Sequence, residues 1–186
     1  MKKVLAFAGS ARKDSLNKKL VAIAVEGARK AGAEISLIDL ADYPMPLYNQ
    51  DLESEEGMPE KALAFKKLLI EHEGFLIASP EYNSAFSPLL KNAIDWASRP
   101  VEGELPLVAF RGKIAALMAA SPGHLGGIRG LVALRMLLGN LGMVVLPDQQ
   151  AIPSAHEVFD EEGSLIEESL QWRVMALGDN LVKAIH

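Results

Sequence analysis

The chain has 186 residues, 49% hydrophobic and 23% charged, with a net charge of −5. That length fits one domain with a full hydrophobic core. The acidic balance argues against a nucleic-acid groove, which needs clustered Lys and Arg. The absence of cysteine excludes disulfides, thiolate catalysis and cysteine-ligated metal.

The first apolar run, Val4–Ala8, is shorter than the roughly 7–15 residues of a signal-peptide core and reads as a buried strand. No apolar stretch approaches the ~20 residues that span a bilayer. Leu16, Leu20, Ile23, Gly27 and Ala31 recur at helical spacing, and Gly32 stops that helix. A second strand is expected over Glu34–Ile38, then a polar loop from Asp39 to about Met58. A helix from Pro59 to about His72 leads into a third strand, Gly74–Ser79. Ser87-Pro88 predicts a helix start, with Ser as cap and Pro in the first turn. A fourth run covers Ile114–Ala120, and Leu131, Leu134, Leu138 and Leu141 mark the next helix. A short fifth strand, Met143–Leu146, precedes an irregular segment from Pro147 to Gly163. Ile166, Leu170, Leu177 and Leu181 stripe a last helix.

Five strands alternating with five helices predict an α/β fold, a parallel sheet covered on both faces. In such sheets ligands sit at the carboxyl ends of the strands. Three unusual loops converge there. The first is Gly9-Ser10-Ala11-Arg12-Lys13-Asp14-Ser15-Leu16-Asn17. Gly9 suits close backbone approach to a ligand, while Ser10, Arg12, Ser15 and Asn17 offer donors beside the positive end of a helix. This is an anion site of the phosphate-monoester kind, lacking the Gly-Lys-Ser/Thr of a nucleotide loop. Read alone, it is equally a polar turn with Ser15 as an ordinary helix cap. The second loop, Pro80-Glu81-Tyr82-Asn83-Ser84, offers an aromatic surface and exposed amides, or a turn whose Tyr covers the sheet end. The third, Ser121-Pro122-Gly123-His124-Leu125-Gly126-Gly127, has three glycines that allow close approach to a flat ligand, or only a flexible connection.

Taken together, Gly9-Ser10-x-Arg12-x-x-Ser15-x-Asn17, Ser79-Pro80-Glu81-Tyr82-Asn83 and Lys91-Asn92-Ala93-Ile94-Asp95-Trp96 resemble the NADPH-dependent FMN reductase family. Gly126-Gly127-x-Arg129-Gly130 and Pro46-Leu47-Tyr48-Asn49-Gln50-Asp51 match as well, in order along most of the chain. The resemblance implies a single flavodoxin-like FMN-binding domain over residues 1–186, doubly wound, with five parallel strands in the order 2-1-3-4-5. It implies that Gly9, Ser10, Arg12, Ser15, Leu16 and Asn17 bind the cofactor, with Ser10, Arg12, Ser15 and Asn17 holding the FMN phosphate. Pro80, Glu81, Tyr82, Asn83 and Ser84 would line the flavin ring, with Ser121, Gly123 and Gly126 on its other side. It further implies a homodimer or homotetramer with the flavin near the subunit interface and the Tyr48–Asp51 loop reaching the partner. Asn92, Asp95 and Trp96 would have a structural role.

The activity implied is transfer of hydride from NADPH or NADH to flavin N5 and on to a small acceptor by a ping-pong route. Quinone, free flavin, azo dye and metal oxyanion are the acceptors of such relatives. The flavin carries the chemistry, so no catalytic side chain is assigned. The rival is an electron-carrying flavin module without its own nicotinamide oxidation. A cytoplasmic location, a small-molecule partner, and no metal, nucleic acid or membrane insertion complete the expectation. Of the four histidines, at 72, 124, 156 and 186, none pairs at metal-ligand spacing. His124, in the third loop, is either an exposed loop residue or a donor to flavin or substrate. Asp160-Glu161-Glu162 and Glu167-Glu168 read as a solvated face, and Met118, Met136 and Met143 as packing.

Overall fold

The computed structural model describes residues 1–185. Its central sheet comprises β1 (Lys3–Ala8), β2 (Glu34–Asp39), β3 (Gly74–Ala78), β6 (Ile114–Ala120) and β7 (Val144–Ile152). Their order is β2-β1-β3-β6-β7, all parallel, which is the expected order once a small hairpin, β4 (Glu81–Tyr82) with β5 (Ala85–Phe86), is numbered separately. The helices are α1 (Leu16–Lys30), α2 (Gln50–Glu56), α3 (Glu60–Glu71), α4 (Pro88–Ser98), α5 (Ile128–Asn140) and α6 (Glu168–Ala184). Among the described residues no helix is long and apolar enough to cross a membrane.

The unbroken apolar strands serve two cores at once. On one face Val4, Ala6, Ala8, Leu76, Ala78, Ala116 and Met118 pack under α1 and α6. On the other, Leu5, Phe7, Phe75, Ile77, Ala115 and Leu117 pack under α3, α4 and α5. Alternate side chains of one strand thus enter opposite cores, as burial on both faces requires. The first face is rich in alanine, and its helices come close together. A Cβ on Gly27 would lie 1.9 Å from the Met175 carbonyl oxygen, and one on Gly178 would lie 2.0 Å from that of Ala24. The two glycines let α1 and α6 touch backbone to backbone.

Several elements differ from the expectation. The polar loop after β2 contains a 3-10 turn, Leu40–Asp42, and the whole of α2, so there are six α-helices among the described residues, not five. α2 buries no side chain, so it shows no apolar stripe. The third strand ends at Ala78, one residue before the expected Ser79: the Ser79 N–H still donates to the Met118 carbonyl at 2.9 Å, but Pro80 has no N–H to carry the ladder on. The fifth strand runs through Pro147 to Ile152 and takes the start of the segment expected to be irregular. Pro147 is tolerated because β7 is an edge strand whose register slips between its pairings with Ala115 and Leu117. The last helix begins at Glu168, leaving Ile166 exposed. Met118 and Met143 are buried as expected, but Met136 is 67% exposed on the outer face of α5. The acidic runs 160–162 and 167–168 are solvated.

Candidate functional site

The carboxyl ends of β1, β3 and β6 meet in a small cleft of about 100 Å³ that is open to solvent. Ser10, Arg12, Ser15, Leu16, Asn17, Pro80, Glu81, Tyr82 and Ser121 all line it, together with Pro122 of the third loop and Ala120 at the end of β6. Gly9, Asn83, Ser84, Gly123 and Gly126 do not line it.

In the first loop, α1 begins with Ser15 in extended geometry at the N-cap position, yet the Ser15 hydroxyl makes no cap hydrogen bond. Ser15 occupies the place of an ordinary cap without acting as one. Arg12 is exposed and has no ion-pair partner among the described residues. A helix N-terminus with a free hydroxyl and a free guanidinium is a ready anion site. Asn17 behaves differently. It is buried; its Nδ2 donates to the Ala120 carbonyl, and its Oδ1 accepts from the Ala120 N–H, both at 2.9 Å. Its amide pins the start of α1 to the end of β6, leaving one Nδ2 hydrogen for a ligand.

Gly9 is required for a reason other than ligand approach. A Cβ there would meet Leu90 Cβ at 3.0 Å and Ser87 Oγ at 3.1 Å. Ser87, the expected cap of α4, accepts from the Leu90 N–H and donates to the Gly9 carbonyl at 2.6 Å. The first loop is therefore seated on the N-terminus of α4.

The second loop forms the β4–β5 hairpin, with Asn83 (φ 51°) and Ser84 (φ 67°) as its two turn residues. Positive φ at both positions is the turn that matches the twist of a two-residue hairpin. Pro80 and Tyr82 face the cleft, but the Glu81 carboxylate reaches behind the hairpin. It accepts from Arg129 Nε and from the Gly130 N–H, both at 2.9 Å, and pairs with Arg129 Nη2 at 2.8 Å. Burial pushes the Glu81 carboxyl up. The Gly130 amide and the Arg129 guanidinium outweigh this and hold it below the usual carboxylate range.

The glycines of the third loop also serve the fold. A Cβ on Gly126 (φ 63°) would lie 2.8 Å from the backbone at Ala151 and Ile152 of β7, and one on Gly127 (φ 91°) 2.7 Å from Ala119 Cβ. Only Gly123 opens toward free space, with Ser121 Oγ its nearest neighbour at 3.6 Å. His124 is exposed and does not line the cleft. Buried His72 has a structural role: its Nδ1 donates to the Leu68 carbonyl and its Nε2 accepts from the Ser36 hydroxyl, each at 2.7 Å. His156 lies on the surface beside Glu157, and His186 lies outside the described residues.

The Lys91–Trp96 block holds the segment before α2. Asn92 Nδ2 and Trp96 Nε1 both donate to the Pro46 carbonyl, at 2.9 and 2.8 Å, and Asn92 Oδ1 accepts from the Tyr48 N–H. The Tyr48 ring stands edge-on to Trp96, and its hydroxyl donates to Glu53. The Arg99 guanidinium holds the Glu53 carboxyl below its usual range. Asp95 pairs with Lys91 on the surface.

The model of the NADPH-dependent FMN reductase family matches residues 2–157. An NAD(P)H-dependent FMN reductase of Pseudomonas aeruginosa is 37% identical over 180 residues, covering 94% of this chain and 92% of the relative. An NAD(P)H:quinone oxidoreductase of Solanum tuberosum is 36% identical over 94% of this chain and 88% of its own. A flavoenzyme NAD(P)H:(acceptor) oxidoreductase of Paracoccus denitrificans superposes with a TM-score of 0.80 at 32% identity, over 100% of this chain and 99% of that one. The free donors at the start of α1 fit the phosphate of FMN, and the walls at Pro80–Tyr82 and Ala120–Pro122 leave an open face for a ring. This chain belongs to the NADPH-dependent FMN reductase family, as an oxidoreductase with FMN as cofactor and NAD(P)H as co-substrate.

Proposed function

We propose that the cleft holds FMN with its phosphate at the start of α1 and its ring between the second and third loops, and that a quinone is the electron acceptor. The observation that carries this reading is the pair of unengaged donors, Arg12 and Ser15, at a helix N-terminus that lacks a side-chain cap. The family's quinone-reducing relatives support the acceptor class. Bound FMN supplies the two-electron chemistry between reduced nicotinamide and acceptor.

The chain's own residues bind and orient. Arg12 and Ser15 give hydrogen bonds to the phosphate, the Arg12 bond charge-assisted, with Ser10 and the remaining Nδ2 hydrogen of Asn17 beside them. Pro80 and Tyr82 on one side, and Ala120 to Pro122 on the other, border the ring. Tyr82, half exposed, would border the ring at the open side of the cleft. No side chain in the cleft is required to move a proton. The protein functions as a single FMN-binding domain over residues 1–186, as a cytoplasmic homodimer or homotetramer. Exposed Val132 and Met136, one turn apart on α5, support self-association.

The test is an anaerobic absorbance titration of the purified protein. NADPH is expected to bleach a flavin spectrum and added benzoquinone to restore it. A flavin spectrum that NADPH and NADH leave untouched overturns the reading. Sedimentation velocity of the same sample tests the assembly.

A further inference from the structure

The Glu81 side chain turns away from the cleft its backbone helps to line, and it does so at the junction of two loops. The N-cap position of α5 is Gly127, which has no side chain with which to cap the helix. Its first-turn amide at Gly130 instead donates to Glu81 Oε2, a partner 49 residues earlier in the chain. The same carboxylate pairs with Arg129, and the Glu81 side chain is only 8% exposed. Contact is close enough that a Cβ on Gly130 would lie 3.2 Å from the Ala85 carbonyl oxygen and 3.3 Å from Glu81 Cβ. An acidic group at a helix N-terminus is favoured by the helix dipole as well as by the hydrogen bond. The third loop runs directly into this helix, and Pro80 and Tyr82 flank Glu81 in the second loop.

We infer that Glu81 is a positioning residue: by capping α5 across the chain, it fixes the spacing between the two ring-side walls of the cleft. Its loss loosens the grip on the flavin ring and leaves the phosphate contacts in place. This inference rests on the placement of FMN proposed above.

Apo-protein titrated with FMN and with riboflavin, which lacks the phosphate, separates the two ends. Glu81→Gln keeps the side chain's shape and one acceptor oxygen but loses the ion pair with Arg129. It is expected to weaken both ligands by the same factor, about tenfold, so that their affinity ratio stays at the wild-type value. The visible band of the bound flavin is expected to shift in Glu81→Gln but not in Arg12→Ala. Arg129→Ala is expected to reproduce part of the loss, and the double variant to be no worse than Glu81→Gln. Circular dichroism and melting temperature show whether each variant is folded; if Glu81→Gln does not fold, Arg129→Ala carries the same comparison. Wild-type affinity for both ligands in Glu81→Gln, or a loss confined to FMN, overturns the inference. Wild-type protein that binds neither ligand overturns the underlying placement instead.

Discussion

In the Gly9–Asn17 loop, Arg12 and Ser15 keep their polar groups free, whereas across the cleft Ser79, Glu81 and Arg129 are all engaged within the chain. The first loop is held without the use of Arg12 or Ser15, through the Gly9 carbonyl on Ser87 and the Asn17 amide on Ala120. The facing loops are held by their side chains and leave backbone and ring surfaces toward the cleft. One end therefore recognises a ligand by side-chain chemistry and the other by shape. A polar residue in a motif is free for a ligand to the extent that its neighbours leave it unpaired, and Asn17 and Glu81 are the two whose side chains are engaged most fully across the chain.

The largest effect is expected where the two halves are tied. Asn17→Ala leaves the Ala120 N–H and C=O without their partner at a buried strand end. Each unmet group costs about 1–3 kcal/mol, so a loss of roughly 3 kcal/mol is expected in urea unfolding. Because the tie spans both sides, FMN and riboflavin are both expected to bind less well. Normal stability in Asn17→Ala would show that the two halves are held elsewhere. Arg12→Ala sharpens the contrast from the open side. With no internal ion pair to lose, it is expected to leave stability unchanged while weakening FMN about 10- to 100-fold and riboflavin hardly at all. Equal losses for the two ligands would mean that the loop does not hold the phosphate.

Acid separates the ends in a third way. The folded Glu81 carboxyl lies below its ordinary value of 4.5, so its contribution is present above that value and is lost as pH falls through the folded one. The Asn17 tie is neutral and does not titrate. Riboflavin affinity is therefore expected to hold from neutral pH down to about 4.5 and to fall beneath it in wild type. In Glu81→Gln that fall is expected to be shallower. Equal acid profiles for the two proteins would remove the titrating clamp from the ring side.

Much of this architecture was legible in the chain because it is local. Val4–Ala8 and Ile114–Ala120 are short apolar runs with turn residues behind them, and Ser87-Pro88 announces its helix on its own. What was hidden depends on distant partners. Gly27 reads as one more small residue in an apolar stripe until Met175 is found against it. The tie from Asn17 to Ala120 spans 103 residues, and nothing around Asn17 signals that its amide is engaged. The third-loop glycines suggested a flat ligand because glycine marks close approach without saying to what; the neighbours are β6 and β7. Pro147 pointed to the end of a strand because a proline costs a ladder hydrogen bond only inside a sheet, and edge position is a property of the whole fold.

The hairpin tip gives the smallest effect and the finest test of the shape-reading end. Ser84 sits at φ 67°, where a non-glycine residue carries strain of about 1 kcal/mol, and Asn83 beside it is a residue type that tolerates this region. The strain is local, since Ser84 is exposed and does not line the cleft. Ser84→Gly removes it but gives the unfolded chain more freedom, so the net gain is expected to be only a few tenths of a kcal/mol. If the hairpin's conformation is fixed by Glu81 and α5, as the hydrogen bonds indicate, relieving the tip leaves flavin affinity where it was. If instead the strained tip sets the position of Tyr82, Ser84→Gly raises stability and lowers riboflavin affinity together. Chemical denaturation and flavin titration of this one variant decide which end of the hairpin controls the wall.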